Sequence, residues 1–178
     1  MIFLVQITLL IAFTLFILLL IRKQSKRQVL DIGLSMHSLI RGYYAKNSTV
    51  SVHPRDWPIQ FEGVRLVDDA GRVDTALYVN EADCPGDEFE RAQAVLTREG
   101  IGFEVLPLTS PDAAQPARRI LIRCDDRLSC LTSAAIYLLM DAFRLPYTAK
   151  LRVAFRRLDD EEQAVARRHL GLRQQALL

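Results

Sequence analysis

The first 21 residues of the chain contain no charged side chain, and no other feature limits so sharply what it can fold into. Residues 2–21 read IFLVQITLLIAFTLFILLLI. As a helix rising about 1.5 Å per residue, that stretch spans about 30 Å, the thickness of a bilayer's hydrocarbon core. A buried helix of a water-soluble protein seldom keeps apolar side chains on every face for so long. The pattern therefore predicts a transmembrane helix over residues 1–21.

A cleaved signal peptide would need a basic start, a shorter apolar run and small residues at the cleavage point. This chain begins Met1-Ile2-Phe3 and passes straight into Arg22-Lys23-Gln24-Ser25-Lys26-Arg27, so the helix is expected to stay as an anchor. Lys and Arg flanking a span remain on the cytoplasmic side. Arg22, Lys23, Lys26 and Arg27 therefore place the N-terminus outside and the rest of the chain in the cytoplasm, at a membrane of the bacterial inner type. The same four charges would lie against anionic headgroups, so the lipid bilayer is the first partner implied. Within the span Gln6 could hydrogen-bond a second helix, and Thr8 and Ala12 form one small-xxx-small pair. Homo-oligomerisation through the span is the assembly these residues would support.

The remainder is the size of one domain. Its charge is nearly balanced, 23 basic against 21 acidic side chains for a net +2, which argues against a polyanion such as nucleic acid as the main partner. Three cysteines, Cys84, Cys124 and Cys130, are odd in number and form no CxxC pair, so a secreted disulfide framework is excluded and reduced thiols are expected.

Along the domain, Val29, Ile32, Met36, Ile40 and Tyr43 recur at helical spacing. This amphipathic helix could extend the anchor, lie on the membrane or pack on the domain; packing is the default. Residues 48–58, with two prolines and the lone Trp57, read as an irregular connection, and Trp57 as either a core plug or an interface anchor. Phe61, Val64 and Leu66, then Val73, Leu77 and Val79, flank Asp68-Asp69-Ala70-Gly71 and predict a hairpin. Cys84-Pro85-Gly86-Asp87-Glu88 opens a helix that ends at Gly100. Strands follow over residues 102–106 and 119–123, an apolar helix over 131–143, and an alternating strand over 150–156. Asp159 then begins a polar helix with Arg167, Arg168 and Arg173 near its negative end.

The order from residue 75 to 157 is β-α-β-β-α-β, the ferredoxin-like pattern. The expected fold is thus α+β: residues 1–21 a transmembrane helix, 22–47 a basic juxtamembrane stretch and amphipathic helix, and 48–178 a cytoplasmic domain. That domain would be a ferredoxin-like core with an extra N-terminal hairpin arm and a C-terminal helix.

Two constellations stand out. If the first and third strands of the core are parallel neighbours, the loops leaving them carry Cys84 on one side and Cys124 and Cys130 on the other, a conceivable redox edge with Asn80, Glu81, Asp83, Asp125 and Asp126. Against a metal there, Cys124-x5-Cys130 is no zinc knuckle and neither loop holds a histidine. The plainer reading makes Asp83, Asp126 and Ser129 helix caps and the cysteines small apolar fillers. The second constellation is a candidate interaction face of Lys150, Arg152 and Arg156 on the last strand, joined by Arg119 and Arg123. It lacks the alternating aromatics that stack on nucleic acid.

His37, His53 and His169 are scattered, and P-loop, GxGxxG, HExxH and GxSxG motifs are absent. The sequence thus leans away from an enzyme and implies no metal or cofactor. It points to a membrane-anchored, non-enzymatic binding protein, an accessory subunit or adaptor of an inner-membrane complex with a protein partner. The alternatives are an immunity-type or regulatory factor that sequesters an effector at the membrane, and a small redox or metal-dependent enzyme using the cysteine edge.

Overall fold

A computed structural model describes residues 13, 26–108, 117–124 and 128–171. Among them no helix is long and apolar enough to cross a membrane. The expected span lies outside the described residues except for Phe13, which is helical and 62% exposed.

The domain is α+β, built on a seven-stranded sheet in which every neighbouring pair is antiparallel. In chain order the elements are β1 (Lys26–Gln28), a 3-10 turn (Val29–Asp31), α1 (Ile32–Ile40), β2 (Ser48–Pro54), β3 (Phe61–Val67), β4 (Val73–Asn80) and α2 (Glu88–Arg98), followed by β5 (Glu104–Leu108), β6 (Ala117–Arg123), α3 (Leu128–Tyr137), β7 (Lys150–Arg157) and α4 (Asp160–His169). The strand order is β1-β7-β2-β3-β4-β6-β5.

Local chemistry sets most of these elements. Between β3 and β4, Gly71 sits at φ +81°, and Asp68 accepts from the Arg72 backbone at 2.8 Å and from its guanidinium at 2.6 Å. Positive φ is almost free for glycine, so the expected hairpin closes there. α2 begins at Glu88, later than the Cys84-Pro85 opening suggests, because a separate 3-10 turn takes Glu81–Asp83. α4 carries a full capping box, Asp159 accepting from Glu162 N at 2.8 Å and Glu162 accepting from Asp159 N at 3.1 Å. α3 widens into a π-helical segment, Leu138–Ala142, where Phe143 N bonds Leu138 O; Arg91 of α2 donates to the Ala142 carbonyl at 2.7 Å.

The ferredoxin-like arrangement is present only in part. β4, α2, β5 and β6 form its first half: α2 returns the chain so that β5 runs parallel to β4, and β6 slots between them antiparallel to both. In the complete pattern the last strand would lie beside β4. Here that position is occupied by β3, delivered by the tight hairpin, and β7 pairs with β2 instead. A hairpin partner and the last strand cannot share one edge of β4, and the short connection wins. β2 corrects a second expectation, since residues 48–54 form an interior strand rather than an irregular connection. Only Val50 and Val52 carry its apolar signal, and Thr49 spends its hydroxyl on the Gly63 carbonyl at 3.0 Å.

The two faces of the sheet differ. α1, α2 and α3 cover one face, burying Ile32, Met36, Leu39, Phe61, Leu77, Phe89, Ile120, Ile122 and Leu151, with Trp57 packed half-buried at the margin. α1 and β2 lie so close that a Cβ on Gly63 would come within 2.9 Å of the Leu39 and Val50 methyl groups, so a larger residue at that point of β3 would force them aside. Beneath the loop after α1, Arg65 is 8% exposed and donates to the Ile40 carbonyl at 2.8 Å and to that of Lys46. The other face holds a smaller cluster, Val64, Leu66, Ala76, Tyr78 and Leu121, covered by α4 through Ala166.

Candidate functional site

From Lys26 onward the chain enters the fold as a strand. β1 pairs with β7 in the register Lys26↔Arg152, Arg27↔Leu151 and Gln28↔Lys150, and Val29 N continues onto Ala149 O at 3.3 Å. Of the expected membrane-flanking residues, Lys26 and Arg27 therefore have their backbones in the sheet. Arg22 and Lys23 lie outside the described residues.

β7 alternates as the sequence suggests. Leu151, Val153 and Phe155 turn toward the helices, while Lys150, Arg152 and Arg156 turn to the opposite face, where β6 presents Arg119 and Arg123. These five basic residues share that face but do different things. Arg156 pairs with Glu162 in the first turn of α4 at 2.6 Å. Arg123 donates to the His169 and Leu170 carbonyls at the far end of α4, at 2.7 and 3.2 Å, and pairs with Glu104 at 3.2 Å. A cation against the last carbonyls of a helix is favourably placed, so Arg156 and Arg123 clamp the two ends of α4 onto the sheet. Arg119 donates to Asn80 Oδ1 at 2.6 Å and lies over the Tyr78 ring at 4.8 Å. Lys150 and Arg152 are exposed and make no ion pair among the described residues.

Between α4 and the sheet runs a groove of about 260 Å³, lined by Thr49, Glu62, Val64, Tyr78, Arg119 and His169 among others. Tyr78 is 3% exposed, and burial pushes its hydroxyl up to about 12, so it stays protonated. The His169 imidazole, edge-on to Tyr78 with ring centroids 6.0 Å apart, is held below its ordinary value by burial and then by Arg119, Arg168 and Arg123. Among the described residues, neither the Tyr78 hydroxyl nor His169 Nδ1 has a hydrogen-bond partner. Sequence reading left both residues unremarked as a pair. The available signal was that Tyr78 shares the face of β4 that also presents Asn80, next to the arginine-bearing face of β6.

The cysteines do not converge. β4 and β6 are antiparallel neighbours, with Asn80↔Arg119 at one end and Ala76↔Arg123 at the other, so the loops that follow them lie at opposite ends of the sheet. Cys84, 7% exposed, stands among Glu88, Asp83, Glu90 and Glu81, and burial followed by these carboxylates pushes its thiol up to about 12. Its acidic neighbours are engaged elsewhere: Asp83 accepts from Asn80 at 2.8 Å, and Glu81 pairs with Arg118. At the other end Cys124 is fully buried, and the Cys130 thiol donates to its sulfur at 2.9 Å. Asp125 and Asp126 lie outside the described residues. Among the described residues no group of three or more His, Cys, Asp or Glu side chains could hold a metal ion.

The chain matches no protein-family model, no curated protein and no solved structure. Nothing about its activity is inherited from a relative.

Proposed function

We propose that the chain is a membrane-anchored, non-enzymatic binding protein, an accessory subunit or adaptor whose domain is held at the cytoplasmic surface of an inner membrane and engages a protein partner through the basic end of its sheet. The observation that carries this reading is the β1–β7 pairing, which starts at Lys26 with only four residues between it and Ile21. Four extended residues reach about 14 Å at most. With residues 1–21 in the bilayer, the edge of the sheet stands within that reach of the headgroups.

That placement gives Lys150 and Arg152 a purpose. They project from the strand beside β1 without a counter-ion among the described residues, whereas Arg123 and Arg156 are committed to α4. Near an anionic surface each such charge contributes on the order of 1 kcal/mol. Basic side chains ordered on a strand also suit an acidic protein surface, with charge complementarity raising the association rate.

The test is recovery of partners by the full-length protein from detergent-solubilised membranes, with quantitative mass spectrometry. A membrane-associated protein should co-purify in stoichiometric amount, and the pair Lys150→Glu with Arg152→Glu should lower its recovery about tenfold, equivalent to ~1.4 kcal/mol. Equal recovery by the variant would remove the basic strand from the interface. Alkaline phosphatase fused to the C-terminus should be inactive, and activity outside the cytoplasm would reverse the topology.

A further inference from the structure

We propose that Cys124 and Cys130 form a reversible intramolecular disulfide, closed by thiol–disulfide exchange with a small disulfide of the glutathione type. The antiparallel β4–β6 pair separates these two residues from Cys84 and leaves them together, at the end of β6 and in the first turn of α3. Their sulfurs are 2.9 Å apart and both are thiols. A disulfide bond is about 2.05 Å long, so closure requires less than about 1 Å of movement, within reach of a side-chain torsion.

The two thiols are unequal in access, and that fixes the order of events. Cys130 is half-buried and reachable from solvent, whereas Cys124 is fully buried. The Cys130 thiolate attacks one sulfur of the small disulfide, forming a mixed disulfide and expelling the first small thiolate. The Cys124 thiolate then attacks the Cys130 sulfur and expels the second. Two electrons pass from the protein to the small disulfide, which leaves as two thiols carrying the two protons lost from the cysteines. Reduction by excess small thiol runs the same steps backwards. Cys84, buried among carboxylates that oppose its thiolate, takes no part and serves as the internal control.

The product joins β6 to α3, the helix that packs on α1 and so on the segment that follows β1. This inference stands independently of the anchored-adaptor reading, since it needs only the folded domain.

The experiment uses reduced full-length protein in detergent, exposed to glutathione disulfide, quenched in acid, then unfolded at neutral pH and labelled with a maleimide–polyethylene glycol that shifts the gel band once per thiol. Of the three thiols in the chain one should remain reactive, with a peptide linking Cys124 to Cys130 and the intact mass lower by two hydrogens. Cys84→Ser should leave no reactive thiol after oxidation. Cys130→Ser should keep both of its remaining thiols, and Cys124→Ser should halt as a stable mixed disulfide on Cys130. Should Cys124→Ser fail to fold, Cys130→Ser carries the comparison. In the oxidised wild type, three reactive thiols, a persistent glutathione adduct, or a link that includes Cys84 would each overturn the proposal.

Discussion

The two faces of the sheet are built on opposite principles. Three helices cover one face, and apolar surface holds them there; Phe61, Leu77, Phe89 and Ile122 are all essentially inaccessible to water. Among the described residues the other face carries a single helix, α4, held over a small cluster by arginine contacts at its two ends, with Arg156 on Glu162 and Arg123 on the terminal carbonyls. Burial of a large apolar side chain contributes about 1.5–3 kcal/mol, whereas a half-exposed ion pair contributes about 0–1 kcal/mol. The first face therefore sets whether the domain is folded, and the second sets what it presents.

Breaking the apolar face should have the largest effect. Phe61→Ala removes a ring that is 1% exposed and should cost about 3–5 kcal/mol, read as a lower urea midpoint for the full chain in detergent. A loss below about 1 kcal/mol would mean that this face does not govern stability. Next comes Arg65→Met, which leaves the Ile40 and Lys46 carbonyls without their donor and should cost about 1–3 kcal/mol in the same measurement.

On the clamped face, Arg123→Ala should remove about 1 kcal/mol locally. Hydrogen exchange should accelerate in α4 while the strands and α1 to α3 keep their protection. Uniform acceleration would mean that α4 is not a separate unit.

The pH response should be smaller and confined to α4. Burial and the surrounding arginines lower the His169 pKa in the fold, so the unfolded chain binds the proton more readily. Stability from this group is complete above the ordinary histidine value of about 6.5 and is lost as pH falls below it. His169→Gln should flatten the dependence of α4 exchange between pH 7.5 and 5.5, and an unchanged slope would remove His169 as its source. Smallest of all, Lys150→Glu with Arg152→Glu should shift the unfolding midpoint by no more than about 0.5 kcal/mol while partner recovery falls.

Much of the local structure was legible. Gly71 flanked by alternating apolar residues marked the β3–β4 hairpin, Gly100 at φ +66° ends α2, and Asp159 with Glu162 marked the start of α4. Periodicity and turn chemistry act over a few residues, so sequence reports them. β2 escaped because the polar residues Thr49, Ser51 and His53 face the α4 side and leave only two valines as signal. The strand order escaped because it depends on competition for the edge of β4, and the supposed convergence of Cys84 with Cys124 and Cys130 failed with the direction of β6. For the basic face, alternation along β7 put Lys150, Arg152 and Arg156 on one face, but the sharing of Arg119, Arg123 and Arg156 with Asn80, Tyr78 and α4 is visible only in three dimensions.

The pairing of β1 with β7 also orders events during synthesis. Among the described strands, the first in chain order must wait for the seventh, and until residues 150–157 emerge both β1 and the outer side of β2 stand as naked hydrogen-bonding edges. Every shorter nascent chain is therefore a sheet without its closing seam, and a stop codon upstream of β7 would release a product open to pairing with its own copies.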